Sequence, residues 1–384
     1  MKFGLGNDWK EVNRFEKLDK KDRSIVFYLE NEYDFIFFKP IVKKLTQEYD
    51  TKICYVTSSK TDPMLSSNNK NILPFYIGDG VARSKFFINL KATIMVMTMN
   101  DLETFHIKRS KIYPVHYVYI FHSLFSTHYA CTGTSFDNFD TIFCTGNYQI
   151  MEIQERERKF NLKKKKIVKH GYGRLDALIN EVQITNIKKN TPKNKVVLIA
   201  PSWGSNGLIE TKGQEIVRVL LDSGFDVILR PHPMTVKKSN KIIQKIKEEF
   251  KDNSNFKLEI DIRNTESFFL CDCMISDWSG VAIEYAFAFE KPVLYVDTPQ
   301  KINNPECYQI DLAPLEKKIR SQIGEVLSLS QLSLLPSKIN QFLVSQNKFK
   351  EKIEKIREET IFNIGNSAKQ GAKYLLELKK SLES

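Results

Sequence analysis

The stretch CMISDWSGVAIEYAFAFEKPVLYV, from Cys273 to Val296, reads as strand, polar bend, buried helix and strand. Cys273, Met274 and Ile275 form a short apolar run suited to the end of an inner strand. Ser276-Asp277-Trp278-Ser279-Gly280 interrupts it with small, hydrogen-bonding residues. Val281 to Phe289 is apolar except for Glu284, Pro292 stops the helix, and Val293 to Val296 makes the next strand. Such a bend leaves backbone N–H groups unpaired at a helix N-terminus. Those donors and the helix dipole favour an anion, most often a phosphate. Ser276 and Ser279 add hydroxyls, and Gly280 admits a ligand close to the backbone. Glu284, on an apolar surface, requires partners, and ribose hydroxyls would suit it. The competing reading makes Ser279 and Asp277 simple N-caps and pairs Glu284 with an arginine.

Working outward, the same strand-and-bend pattern recurs. KVVLIAPSW, beginning at Lys195, ends in the polar turn Pro201-Ser202-Trp203-Gly204. Asp226 to Leu229 runs into Arg230-Pro231-His232-Pro233. Both prolines restrict the backbone there, so a guanidinium and an imidazole are held at a rigid strand exit. Arg230 suits bidentate contact with phosphate, and His232 can donate to a phosphate oxygen or shuttle a proton. In the first half, strands are expected at Ser24–Leu29, Ile53–Val56, Ile72–Ile77, Thr93–Met97, Tyr117–Phe121, Thr141–Thr145 and Ile167–Lys169, with helices between several of them. This alternation argues for parallel sheets covered on both faces, with function at the carboxyl ends of the strands.

Two polar signals of the first half fall at such ends. His122 follows Tyr117–Phe121 directly and is placed to act as a general base. His170-Gly171-Tyr172-Gly173-Arg174-Leu175-Asp176 follows Ile167–Lys169. Its glycines permit a tight turn, and Arg174 would bridge to a phosphate or pair with Asp176. Residues 1–22 read as a charged helix or loose arm, 183–194 as an interdomain linker, and the chain from about Leu315 onward as helical.

The 384 residues suffice for two domains, and a formal charge of +12 points to acidic partners such as nucleotides or anionic headgroups. No stacking-aromatic motif accompanies the charge, so nucleic acid is set aside as a partner. The six cysteines lack the paired spacing of a zinc site and read as reduced thiols of a cytoplasmic protein. No apolar run is long enough to span a bilayer, which confines any membrane role to peripheral contact with the inner face. No carboxylate pair is placed to bind a metal, so neither metal nor cofactor is expected.

Taken together, Ala200-Pro201-Ser202-Trp203, Leu229-Arg230-Pro231-His232-Pro233, Ser276-Asp277-Trp278-Ser279-Gly280-Val281, Glu284-Tyr285-Ala286 and Lys291-Pro292-Val293 resemble, in order and spacing, the CDP-glycerol glycerophosphotransferase family of teichoic acid primases and polymerases. Gly171 to Asp176 is similar to the family's Gly-Tyr-Pro-Arg-x-Asp. The resemblance covers roughly residues 115–300. It implies an α/β, GT-B-like architecture of two Rossmann-like domains facing across a cleft, with C-terminal helices. The boundaries expected on that basis are 1–188 for an acceptor domain, 189–330 for a nucleotide-donor domain and 331–384 for helices across the hinge. It also implies a cytidine-activated donor, a glycan or lipid-linked acceptor, and His122 in the place of the family's catalytic base. The family reads His-Gly-x-x-x-Lys there, whereas this chain reads His-Ser-Leu-Phe-Ser, and Gly280 stands where a serine is common. The expected activity is transfer of a polyol phosphate from a CDP-activated donor in cell-surface polymer synthesis. The alternatives are a glycosyltransferase using a CMP- or UDP-sugar and a non-catalytic nucleotide-binding assembly protein.

Overall fold

Strand β1 (Ile25–Leu29) explains the first half of the computed structural model, which describes residues 6–100, 102–104, 106–185 and 194–384. All of its residues are buried, Val26 and Tyr28 in one apolar cluster and Ile25, Phe27 and Leu29 in another. Successive strand side chains point to opposite faces, so a run without polar residues needs cover on both. Strands β2 (Ile53–Thr57), β3 (Ile72–Tyr76), β4 (Ile94–Met97), β5 (His116–Ile120), β6 (Thr141–Cys144) and β7 (Lys166–Lys169) join it in a parallel seven-stranded sheet, ordered β3-β2-β1-β4-β5-β6-β7.

The second half repeats the plan. Strands β8 (Val196–Ile199), β9 (Asp226–Leu229), β10 (Phe256–Leu258), β11 (Cys273–Ser276), β12 (Val293–Asp297) and β13 (Gly324–Ser328) form a parallel six-stranded sheet, ordered β10-β9-β8-β11-β12-β13. The winding reverses between β1 and β4 in one sheet and between β8 and β11 in the other. Crevices at such reversals, outside the strands' carboxyl ends, are where ligands enter doubly wound sheets. The two sheets with their helices are the GT-B-like α/β fold expected.

Helix α1 (Asn7–Glu16) buries Val12 and Phe15 against the first sheet, so this part of the expected arm is docked. Helix α2 (Phe35–Lys43) covers the opposite face through Phe38, Ile41 and Val42. Further along lie α3 (Asn147–Lys159), α4 (Gly173–Ile184), α5 (Leu208–Asp222), α6 (Gly280–Phe289), α7 (Leu315–Ile319), α8 (Lys350–Thr360) and α9 (Ser367–Glu383). Helix α6 is apolar nearly all round, and a helix of that kind must lie in the interior. Ala282, Ile283, Tyr285, Ala286 and Phe287 are all buried, between the second sheet and helices α4 and α8. Each of its buried aromatic side chains contributes roughly 2 kcal/mol.

The chain crosses between the halves twice. Helix α4 follows β7 of the first sheet, yet Leu175 and Leu178 pack with Val196, Leu198 and Phe287 of the second. Helix α9 returns, placing Ala372 and Leu375 among Ile25, Phe27 and Ile41. The helical reading from about Leu315 onward needs one correction, because β13 lies within it. This edge strand buries only Gly324 and Leu327, three positions apart, and so shows no alternating pattern. Residues 186–193 of the expected linker lie outside the described residues.

Candidate active site

Two histidines stand at strand exits from opposite sheets. His122 follows β5, and its Nδ1 lies 3.1 Å from the Thr98 carbonyl oxygen and 3.3 Å from the Tyr119 hydroxyl. A carbonyl only accepts, so Nδ1 carries the proton and Nε2 is left as an acceptor. Burial holds the His122 pKa below the usual imidazole value, against the pull of the Thr98 carbonyl. His232 follows β9 and caps the short helix Pro233–Lys238, its Nδ1 accepting from the Met234 N–H at 3.0 Å. In the neutral ring the proton then resides on Nε2, which is a donor. Burial, then the charge of Lys301, then that of His122 push the His232 pKa down to about 3. The two strand exits thus carry neutral imidazoles in opposite tautomers, near enough that His122 influences the His232 pKa.

Strands β8 and β11 run side by side, and the bends that follow them are bonded together. Asp277, fully buried, accepts from the Ser202 N–H at 2.7 Å, the Trp278 N–H at 2.6 Å and the Leu208 N–H at 3.3 Å. The Ser276 hydroxyl donates to the Ala200 carbonyl at 2.8 Å. These bonds fix the Pro201-Ser202-Trp203-Gly204 turn to the bend before α6. Ser279 is the N-cap residue just before α6, is 9% exposed, and makes no side-chain capping bond with that helix. Trp203 is turned toward His232, ring centroids 6.1 Å apart, with the Lys301 Nζ 3.8 Å and the Lys238 Nζ 4.6 Å from its ring. Burial lowers the Lys301 pKa to about 8, opposed by Asp277 and Glu210. The Lys301 ammonium over the indole and the His232 ring against it gather N–H donors at the Trp203 turn, groups of the kind that suit an anion.

Residues 20–301 match the family described as CDP-glycerol:poly(glycerophosphate) glycerophosphotransferase. The chain belongs to this family. It is also 30% identical over 150 residues to the teichoic acid ribitol-phosphate polymerase TarL of Staphylococcus aureus (strain NCTC 8325 / PS 47), an overlap of 35% of this chain and 25% of that protein. The chain thus matches about a quarter of that relative's length. Among solved structures, the wall teichoic acid polymerase TagF soaked with CDPG matches at TM-score 0.57 and 16% identity, over 98% of this chain and 94% of that one. A putative UDP-N-acetylglucosamine 2-epimerase from Listeria monocytogenes matches at TM-score 0.59 and 14% identity, over 94% and 97%. At these identities the structural likenesses establish the shared fold.

In this glycerophosphotransferase family member, several residues expected to touch ligand face inward. Arg230 Nη1 binds Glu259 Oε1 and the Asn264 carbonyl, and its Nη2 binds the Ile262 carbonyl at 2.7 Å. A guanidinium so occupied braces the β9 exit that carries His232. Asp176 accepts from the Gly365 N–H at 2.7 Å and the Ser367 N–H at 3.0 Å, and from the Ser367 hydroxyl, so it ties down the start of α9. Gly171 has φ of 96°, and a side chain there would collide with the Phe362 carbonyl. The turn at 171–176 is thus a docking point for the C-terminal segment. Arg174 is buried with Arg230 near Glu284, whose pKa is raised by burial against the pull of Arg174, the Tyr172 hydroxyl and Arg230.

Lys301 is a candidate site residue that the sequence reading did not single out. The rule that singled out the other bends, applied to the end of β12 at Asp297, reaches it within a few residues. Among the described residues no group of three His, Cys, Asp or Glu side chains is gathered to hold a metal, and no helix is long and apolar enough to cross a membrane.

Proposed function

We propose that the protein transfers a polyol phosphate from a CDP-activated donor to a hydroxyl of a glycan or lipid-linked acceptor. The observation that carries this reading is the opposed hydrogen bonding of the two rings, His122 Nδ1 against the Thr98 carbonyl and His232 Nδ1 accepting from the Met234 N–H, which assigns an unprotonated Nε2 to His122 and an Nε2–H to His232. His122 takes the proton of the acceptor hydroxyl. The acceptor oxygen bonds to the donor's distal phosphorus, the bond from that phosphorus to the bridging oxygen breaks, and CMP leaves. The His232 Nε2–H, Lys301, Ser279 and the backbone N–H groups opening α6 stabilise the charge that develops on the phosphates. Ser202, Trp203 and Gly280 shape the phosphate pocket, Glu284 holds the ribose, and Ser276, Asp277, Arg230, Gly171, Arg174 and Asp176 support these groups from behind. The donor domain on this reading is 189–330, the acceptor domain 1–188, and helices 331–384 join them. A lipid-linked acceptor would bring the enzyme to the inner face of the membrane as a peripheral protein.

The test is nucleotide release with each donor offered separately: CMP from CDP-glycerol, CDP-ribitol or a CMP-sugar, and UDP from a UDP-sugar. CMP release from a CDP-polyol is expected. Turnover of a nucleotide sugar alone, or binding of every nucleotide without turnover, overturns the proposal.

A further inference from the structure

Gly280 opens α6 and lies directly against the chain that leaves β5. A Cβ on Gly280 would overlap the Ser123 Oγ and would stand 3.2 Å from the Leu124 carbonyl oxygen. A side chain from the first half thus fills the space that a side chain at 280 would need. Leu124 anchors this contact, being fully buried in the core of the second half. The Ser123 hydroxyl therefore stands over the N-terminal turn of α6, where backbone N–H groups lack partners within the helix and the dipole is positive. Ser279, nine-tenths buried, stands at the same turn with a side chain that caps nothing.

We propose that Ser123 is a donor-binding residue, delivered across the seam between the halves. Its hydroxyl supplies a hydrogen bond to a phosphate oxygen of the nucleotide diphosphate donor at the start of α6. Gly280 lacks a side chain so that this hydroxyl can occupy its place. The two positions act as a unit, in which the hydroxyl belongs on one side or the other and never on both. The anion site at α6 is complete only when the segment after β5 is seated against it. The proposal rests on the donor reading given above and deepens it.

The experiment titrates CDP and CDP-glycerol by calorimetry into the wild type, Ser123→Ala, Ser123→Gly, Gly280→Ser and the double variant Ser123→Gly/Gly280→Ser, with a thermal melt of each. Ser123→Ala and Ser123→Gly should each weaken binding about tenfold, the scale of one hydrogen bond to a charged oxygen. Gly280→Ser alone should weaken it similarly by displacing the Ser123 hydroxyl. The double variant, with the hydroxyl moved across the seam, should return to within about threefold of wild type, a non-additivity expected only of residues in contact. Wild-type affinity in Ser123→Ala, or a double variant as weak as the product of its singles, overturns the proposal. Ser123→Ala adds no bulk and decides the matter by itself if Gly280→Ser fails to fold. A wild type that binds no cytidine nucleotide overturns the donor reading, and this inference with it.

Discussion

The Tyr172 hydroxyl lies 2.7 Å from Glu284 Oε1 and donates to it deep in the seam between the two halves. The same hydroxyl is 3.0 Å from the main-chain carbonyl of His122. One phenol thus links the turn after β7, the buried carboxyl of α6 and the strand exit that carries the proposed base. Removing it with Tyr172→Phe leaves a buried carboxyl short of a donor, and should lower stability by about 1–3 kcal/mol in urea denaturation. An unchanged denaturation midpoint would show that the link holds nothing.

Glu284→Ala should weaken donor binding about tenfold if the carboxyl accepts from a ribose hydroxyl, and should also lower stability by taking a partner from the buried Tyr172 hydroxyl. Calorimetry with CDP checks this, and an unaltered dissociation constant takes Glu284 out of nucleotide recognition.

The pH dependence of turnover should be bell-shaped, with each limb owned by a named group. His122 must be neutral to accept a proton, so activity is lost as pH falls through its pKa, which burial places below the ordinary 6.5. Lys301 must be charged to attract phosphate, so activity is lost as pH rises through about 8. His232, at about 3, stays neutral throughout and contributes no limb, although His232→Ala should lower turnover about a hundredfold or more by removing its N–H donor. Lys301→Arg should carry the alkaline limb upward, because arginine keeps its charge. A limb unmoved in Lys301→Arg would assign it to another group.

Glu316 on α7 predicts a stability effect. It accepts from the Ser126 N–H at 3.0 Å, while the Ser126 hydroxyl accepts from the Leu315 N–H at 2.6 Å. Burial raises its pKa from the ordinary 4.5 to about 7, with Glu152 adding to the rise. The folded protein then holds a proton that the unfolded chain has released, so this contribution is present in acid and is lost as pH rises to about 7. Glu316→Gln keeps the acceptor and should stabilise the protein above neutrality by up to about 3 kcal/mol, with the gain vanishing in mild acid. Denaturation curves on both sides of neutrality check this, and an identical pH slope in wild type and variant contradicts it.

The bends at 201–204, 230–233 and 276–280 were legible because proline, glycine and serine after an apolar run mark a strand exit whatever the tertiary structure. The inward role of their neighbours was not, because it depends on partners distant in the chain. Arg230 meets Glu259 across 29 residues, Ser276 meets Ala200 across 76, and Asp176 meets Ser367 across 191. Ser123 and Gly280, read singly, are two separate departures from the family pattern. Only the folded chain puts one against the other. β13 escaped because a short edge strand with two buried residues carries too little periodic signal.

The most direct measurement is CMP release from CDP-glycerol by wild type and His122→Ala, with donor affinity determined on the same preparations. His122→Ala should bind CDP-glycerol within about threefold of wild type yet release CMP about a hundredfold or more slowly, as expected for a lost general base. Release by His122→Ala at the wild-type rate would contradict the account.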